Sequence, residues 1–131
     1  MIGVDTSVVV RYLVGSPPEQ AARARTLFES DAEIGVSLIA LVETAHVLRS
    51  QYGVARAAIV DALVDLLTRT NVAALGYATQ DVIDSLVIAR SLPGTPIADS
   101  FIVLAASAAG AVPIYSFDAG LGRHGTPVEA P

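Results

Sequence analysis

The sequence contains no cysteine and no lysine; all eight of its basic residues are arginines. Without cysteine, thiolate zinc sites, disulfides and thiol nucleophiles are excluded, and a reducing compartment is the natural setting. Without lysine, no ammonium group is available to neutralise a buried carboxylate. A basic leader followed by a signal-type apolar core is also lacking. Every long apolar stretch is broken by Asp, Glu or Arg before the ~18 residues that a membrane span needs. These features predict a soluble, cytoplasmic protein with no membrane partner. Basic charge is scarce as well: the net charge of −5 argues against a protein that holds nucleic acid by a broad cationic surface. It leaves open a site where carboxylates bind divalent cations and so present positive charge to phosphate. Neither repeats nor low-complexity tracts occur, and 131 residues with 53% hydrophobic content suit one domain spanning 1–131.

Short strand-like runs alternate with helical stretches, the pattern of a parallel sheet covered by helices. Ile2-Gly3-Val4 reads as a strand, and a short helix follows over Val8–Val14. Pro17 and Pro18 start a second helix that runs to Phe28. Ile34-Gly35-Val36 is a second strand. Ser37 caps a helix over Leu38–Tyr52 that ends at Gly53, and another runs from Val54 to Arg69. Val72–Leu75 is a third strand, Thr79 caps a fifth helix, and a sixth stops at Gly110. Pro113–Phe117 reads as a fourth strand, with an edge strand near Val128.

Asp99 lies in Ile97-Ala98-Asp99-Ser100-Phe101-Ile102-Val103-Leu104, a segment apolar enough to be buried on nearly every face. An isolated carboxylate there is very costly, and a bound cation is the leading compensation. Three further acids stand apart from the solvated helix stripes: Asp5 and Asp118 at strand ends, and Glu43 within the third helix. In open α/β sheets ligands bind beyond the carboxyl ends of strands, so Asp5 and Asp118 open onto one edge if their strands are neighbours. Each acid also has a plainer reading. Asp5 and Asp118 occupy N-cap positions, Glu43 shares a helical edge with His46 and Ser50, and Asp99 is in a first turn that favours negative charge. Glu43 and His46 make a Glu-x-x-His pair, but the di-iron bundles that use this spacing need a second copy, which is lacking. His46 reads as a helix-surface residue and His124 as part of an exposed turn.

Four stretches together carry a family pattern: Ile2-Gly3-Val4-Asp5-Thr6-Ser7, Leu41-Val42-Glu43-Thr44-Ala45-His46, Ile97-Ala98-Asp99-Ser100-Phe101-Ile102 and Tyr115-Ser116-Phe117-Asp118. In order and spacing the chain resembles the PIN-domain ribonucleases, in particular the VapC toxins of bacterial toxin–antitoxin pairs. The resemblance implies a three-layer α/β/α PIN-like domain with a central, mainly parallel sheet of four or five strands. It implies a metal-dependent endoribonuclease whose carboxylate pocket uses Mg²⁺ or Mn²⁺ to activate a water against RNA phosphodiesters. Asp5, Glu43, Asp99 and Asp118 take the family's catalytic acidic positions, with Asp5, Asp99 and Asp118 as metal ligands. Thr6 is a supporting residue, and Ser116 takes a place usually held by threonine. An aromatic residue common in relatives after the fourth acid is replaced here by Ala119-Gly120-Leu121. A toxin of this kind implies an RNA substrate, a small cognate antitoxin and a homodimer.

The chemistry agrees with that assignment. Mg²⁺ keeps several waters and is held by one or two carboxylates plus substrate phosphate, so no Ser, Cys or His nucleophile is needed. Arg11 and Arg123, close in sequence to Asp5 and Asp118, are the candidate RNA-phosphate contacts. A haloacid-dehalogenase-type phosphatase also begins with a strand ending in Asp, but it needs a second Asp two residues on, where this chain has Ser7. The missing lysine counts against that enzyme, a receiver domain and a P-loop protein alike. The remaining alternative is a non-catalytic PIN-like module that binds RNA or protein.

Overall fold

Side chains that accept from the first orphan backbone amides set the starts of two helices, at Asp5 and Ser37, and of a 3-10 turn, at Asp118, and the strands between the helices are only two or three residues long. A computed structural model describes residues 1–131. The chain divides into two compact units, Met1–Thr79 and Gln80–Pro131.

In the first unit, β1 (Ile2–Val4), β2 (Ile34–Val36) and β3 (Val72–Ala74) form an all-parallel sheet in the order β1-β2-β3. The register pairs Ile2 with Ile34 and Ile34 with Val72. All three residues of the central strand β2 are buried, which explains why it reads as an uninterrupted Ile-Gly-Val run. A Cβ at Gly35 would run into the Leu75 side chain, so a larger residue there requires that side chain to move. Between the strands lie α1 (Thr6–Val14), α2 (Pro18–Phe28), α3 (Leu38–Ser50) and α4 (Arg56–Leu67).

Asp5 caps α1, and Gly15, at φ 76°, closes it with a bond to the Arg11 carbonyl. Pro18 opens α2 at a position where its missing N–H has no cost. The Ser37 hydroxyl accepts from the Ala40 amide at 3.1 Å, as its position before α3 predicts. Helix α1 packs on both α2 and α3. The core contains Val9, Val10, Phe28, Leu41, Ile59, Leu63 and Leu66, each at most 2% exposed. Burying each larger side chain contributes roughly 1.5–3 kcal/mol.

The turn from α2 into β2 is tied down from elsewhere in the unit. The Asn71 amide Nδ2 lies 2.9 Å from the Phe28 carbonyl and 3.2 Å from those of Ser30 and Ala32. Arg69 donates to the Tyr12 hydroxyl and to the Phe28 carbonyl, each at 3.2 Å. The rings of Tyr12 and Phe28 meet at a centroid distance of 4.4 Å.

The second unit holds all but the first residue of α5 (Thr79–Arg90), followed by α6 (Ile97–Ala108), β4 (Ile114–Tyr115), a 3-10 turn (Ala119–His124) and β5 (Val128–Glu129). Strands β4 and β5 pair in parallel, Ile114 with Val128 and Tyr115 with Glu129. The α/β class and the parallel pairing expected from the sequence are therefore present. The five strands are nevertheless shared between two sheets. Strands β1 and β4 belong to different sheets, so they are not the hydrogen-bonded neighbours on which a common edge for Asp5 and Asp118 was premised.

Helix α6 also differs from expectation. Only Ser100 and Phe101 are buried, and Ile102 is 51% exposed. Within its unit the helix packs on the 3-10 turn, which covers one side and leaves the others partly open. Thr79 is the first residue of α5, and its hydroxyl accepts from the Ala74 amide at 3.1 Å instead of capping its own helix.

Candidate functional site

Asp5 stands at the C-terminal end of β1, where the chain turns into α1. Its Oδ1 accepts three hydrogen bonds: from the Ser7 hydroxyl at 2.6 Å, the Ser7 amide at 3.0 Å and the Val8 amide at 3.4 Å. The hydroxyl bond is the largest of the influences that hold the Asp5 carboxyl below its ordinary range; the Val8 and Ser7 amides add to it and slight desolvation opposes it. All three bonds end on one oxygen, so Oδ2 is left to solvent or a ligand. The N-cap reading and the functional reading of Asp5 are thus compatible, each using a different oxygen.

Thr6, the first residue of α1, donates from Oγ1 to Glu43 Oε2 at 3.2 Å. That bond reaches from the turn after β1 to α3. Glu43 is exposed, as are His46 and Ser50 along the same helical edge, while Thr44 and Ala45 beside it are buried. The Glu43 position is therefore solvated and tethered at once. In the first unit, Asp5 and Glu43 are linked through consecutive residues of one helix start. Arg11, one turn further along α1, is half-buried and donates from Nε to Gln20 Oε1 at 2.8 Å.

In the second unit, Asp99 is half-buried in the first turn of α6, short of the near-complete burial its apolar neighbours predict. Asp118 is exposed and caps the 3-10 turn, accepting from the Gly120 amide at 2.8 Å. Its own amide donates to the Ser116 hydroxyl at 2.9 Å, so Ser116 shapes the turn that presents Asp118. A Cβ on Gly120 would stand 2.9 Å from Asp118 Oδ1; the small residue keeps room for the carboxylate. Arg123 is exposed near the end of the same turn.

His124 departs from its expected place. It is half-buried, its Nδ1 is 3.2 Å from the Ser100 hydroxyl, and its Nε2 is buried without a partner. Ser100 follows Asp99, and His124 closes the turn that Asp118 opens, so this contact joins the segments bearing the two candidate acids of the second unit. No local pattern signals it. Ser7, by contrast, was readable: an Asp followed two residues later by a hydroxyl at a helix start is a capping arrangement.

The donors are hard oxygens, with an unengaged oxygen on Asp5, a set that suits Mg²⁺ or Mn²⁺ and not a soft metal. No group of three or more His, Asp or Glu side chains is disposed to hold a metal ion. Magnesium takes only one or two carboxylates and completes its shell with water and phosphate, and the unengaged Oδ2 of Asp5 is a donor of that kind.

Comparison with curated proteins and with solved structures returns no match. Comparison with family models does: the PIN domain model matches residues 2–126, a span that takes in Asp5, Glu43, Asp99 and Asp118 in order. The chain belongs to the PIN-domain family.

Proposed function

We propose that this protein is a Mg²⁺- or Mn²⁺-dependent endoribonuclease with Asp5, Glu43, Asp99 and Asp118 as its catalytic acids. PIN domains are generally nucleases and usually bind a divalent metal. The observation that carries the reading is the arrangement of Asp5: one carboxylate oxygen is fully engaged by the helix start, and the other is free. A side chain held so firmly loses little freedom when it takes a ligand. The lowered pKa of Asp5 keeps it ionised at neutral pH and below. Thr6 fixes one oxygen of Glu43 and leaves the other to orient a water. Ser116 and Gly120 perform the same service for Asp118, one by bonding its amide and the other by giving it room. A bound divalent cation supplies positive charge to the phosphate and makes water acidic enough to attack at neutral pH. Arg11 and Arg123 are proposed as phosphate contacts.

The motifs that resemble the VapC toxins support the finer reading of a toxin with a cognate antitoxin. We propose a homodimer as the acting form, a cytoplasmic location, and a single PIN domain that includes both units, the last supported by the family match across 2–126. No helix is long and apolar enough to cross a membrane.

The test is incubation of purified protein, freed of any bound partner, with a structured RNA mixture in Mg²⁺, Mn²⁺ or EDTA, alongside folded Asp5→Asn and Asp99→Asn variants. Discrete metal-dependent cuts that disappear in both variants are expected. A second reading, a non-catalytic module that binds RNA or protein, draws on the ungrouped state of the acidic side chains. RNA retained but uncut by wild-type protein in every metal would establish it.

A further inference from the structure

A groove of about 460 Å³ runs between α1 and α2, lined by Ser7, Val8, Arg11, Gln20, Arg23 and Leu27 among others. Two of its features run against the rest of the chain. The protein carries a net charge of −5, yet this groove has two guanidinium groups and no carboxylate in its lining. Its arginines also have little internal employment. Arg11 donates from Nε to Gln20, which steers the guanidinium and leaves its two terminal nitrogens available. Arg23 is exposed and has neither a hydrogen bond nor an ion pair.

A structural reading accounts for part of this. Arg11 is in the last turn of α1, where a cation is favourable. That does not explain why Arg23, on the next helix, faces the same space, nor why no acid answers either charge. The remaining wall is apolar, with Val8 half-buried on one helix and Leu27 half-buried on the other. Two forked cations beside an apolar wall match a phosphate joined to a ribose and base. The volume is within the range of pockets that hold small molecules.

The groove also has a fixed relation to Asp5. Ser7 lines it and donates its hydroxyl to Asp5 Oδ1 at 2.6 Å, so one end opens beside the carboxylate proposed for catalysis. We infer that the α1–α2 groove is a subsite for one nucleotide of a single-stranded RNA, with Arg11 and Arg23 holding its phosphate and Val8 and Leu27 backing its sugar or base. This inference rests on the nuclease reading for its occupant, although the binding itself needs no metal. A strand seated there passes Asp5 as it leaves the groove, so the site selects unpaired RNA over a rigid duplex.

The test is binding of a short fluorescein-labelled single-stranded RNA, followed by anisotropy in EDTA across a salt series, with melting curves to verify folding. Arg11→Gln and Arg23→Gln are each expected to weaken binding about tenfold and to lower the salt slope by about 0.7. Arg25→Gln, which removes a charge from α2 outside the groove lining, is expected to leave both unchanged. Arg11→Lys keeps the charge without the fork and is expected to recover the salt slope but only part of the affinity. Equal RNA affinity in wild type, Arg11→Gln and Arg23→Gln overturns the subsite, even where the wild type cuts RNA. Adenosine monophosphate that binds through the arginines while RNA binding ignores them assigns the groove to free nucleotides and also overturns it. So does a glutamate-rich peptide that requires both arginines when RNA is not bound at all. Arginine-dependent RNA binding by a protein that never cuts preserves the subsite and removes the nuclease reading.

Discussion

Thr6 Oγ1 donates to Glu43 Oε2 at 3.2 Å, a bond between residues 37 apart in sequence. It ties the helix start that carries Asp5 to the helix that carries Glu43. Thr6→Val keeps the shape of the side chain and removes the donor. RNA cleavage is expected to fall about tenfold or more, as when a positioned catalytic group loses the partner that orients it, while the melting temperature stays close to wild type. Unchanged cleavage would show that Glu43 needs no such tether.

Asp5 serves the helix with one oxygen and leaves the other free, so two substitutions separate its roles. Asp5→Asn retains an acceptor for the Ser7 and Val8 amides and is expected to keep most of the stability while abolishing cleavage. Asp5→Ala loses the cap as well, at a cost of about 1 kcal/mol. Urea denaturation of both variants beside an RNA assay distinguishes the two effects.

The Ser7 hydroxyl is the largest contributor to the lowered pKa of Asp5. Ser7→Ala is expected to raise the Asp5 pKa toward its ordinary value, so the acid limb of the cleavage–pH profile moves to higher pH. For stability the sign follows from linkage. A carboxyl lowered by folding stabilises the native state above its unfolded pKa, and that contribution is lost as pH falls through the folded value. Wild type is therefore expected to lose more stability than Asp5→Asn between neutral pH and the acid end of the carboxylate range, with Ser7→Ala intermediate. Urea midpoints at several pH values check this.

Ser100 is 3% exposed and meets His124 Nδ1 at 3.2 Å. Ser100→Ala leaves both ring nitrogens of His124 without a protein partner and is expected to cost about 1–3 kcal/mol. The damage extends beyond stability. Because the pair joins the segments of Asp99 and Asp118, cleavage by the folded fraction is expected to drop as well. Ser100→Thr, which restores the hydroxyl, is expected to recover part of both.

What was legible in the sequence was local. Ser37 before an apolar run announced the cap of α3, and Ile34-Gly35-Val36 announced a strand. The positions of Asp5 and Asp118 at strand ends announced helix starts, and each side chain does bond the backbone of the turn that follows. What was not legible depends on partners far away in the chain. Hydropathy marks Ile114 and Val128 as strand residues but cannot say that they pair with each other and not with β1. The apolar stretch around Asp99 suggested deep burial because composition records what a segment prefers, not how many neighbours its unit supplies. The Ser100–His124 contact and the approach of Arg11 to Gln20 likewise arise from how helices and turns meet. Thr79 shows the same limit on a smaller scale: a hydroxyl at a helix start looked like a cap, yet the amide it accepts belongs to Ala74.

The Asn71 side chain reaches three carbonyls, those of Phe28, Ser30 and Ala32, and so it measures the length of the connection between α2 and β2. An inserted or deleted residue between Phe28 and Ala32 would carry at least one carbonyl out of reach of that single amide. Surface connections ordinarily drift in length among related chains. This one is gauged from a distance of about forty residues, so among relatives a change in its length should coincide with a replacement of Asn71.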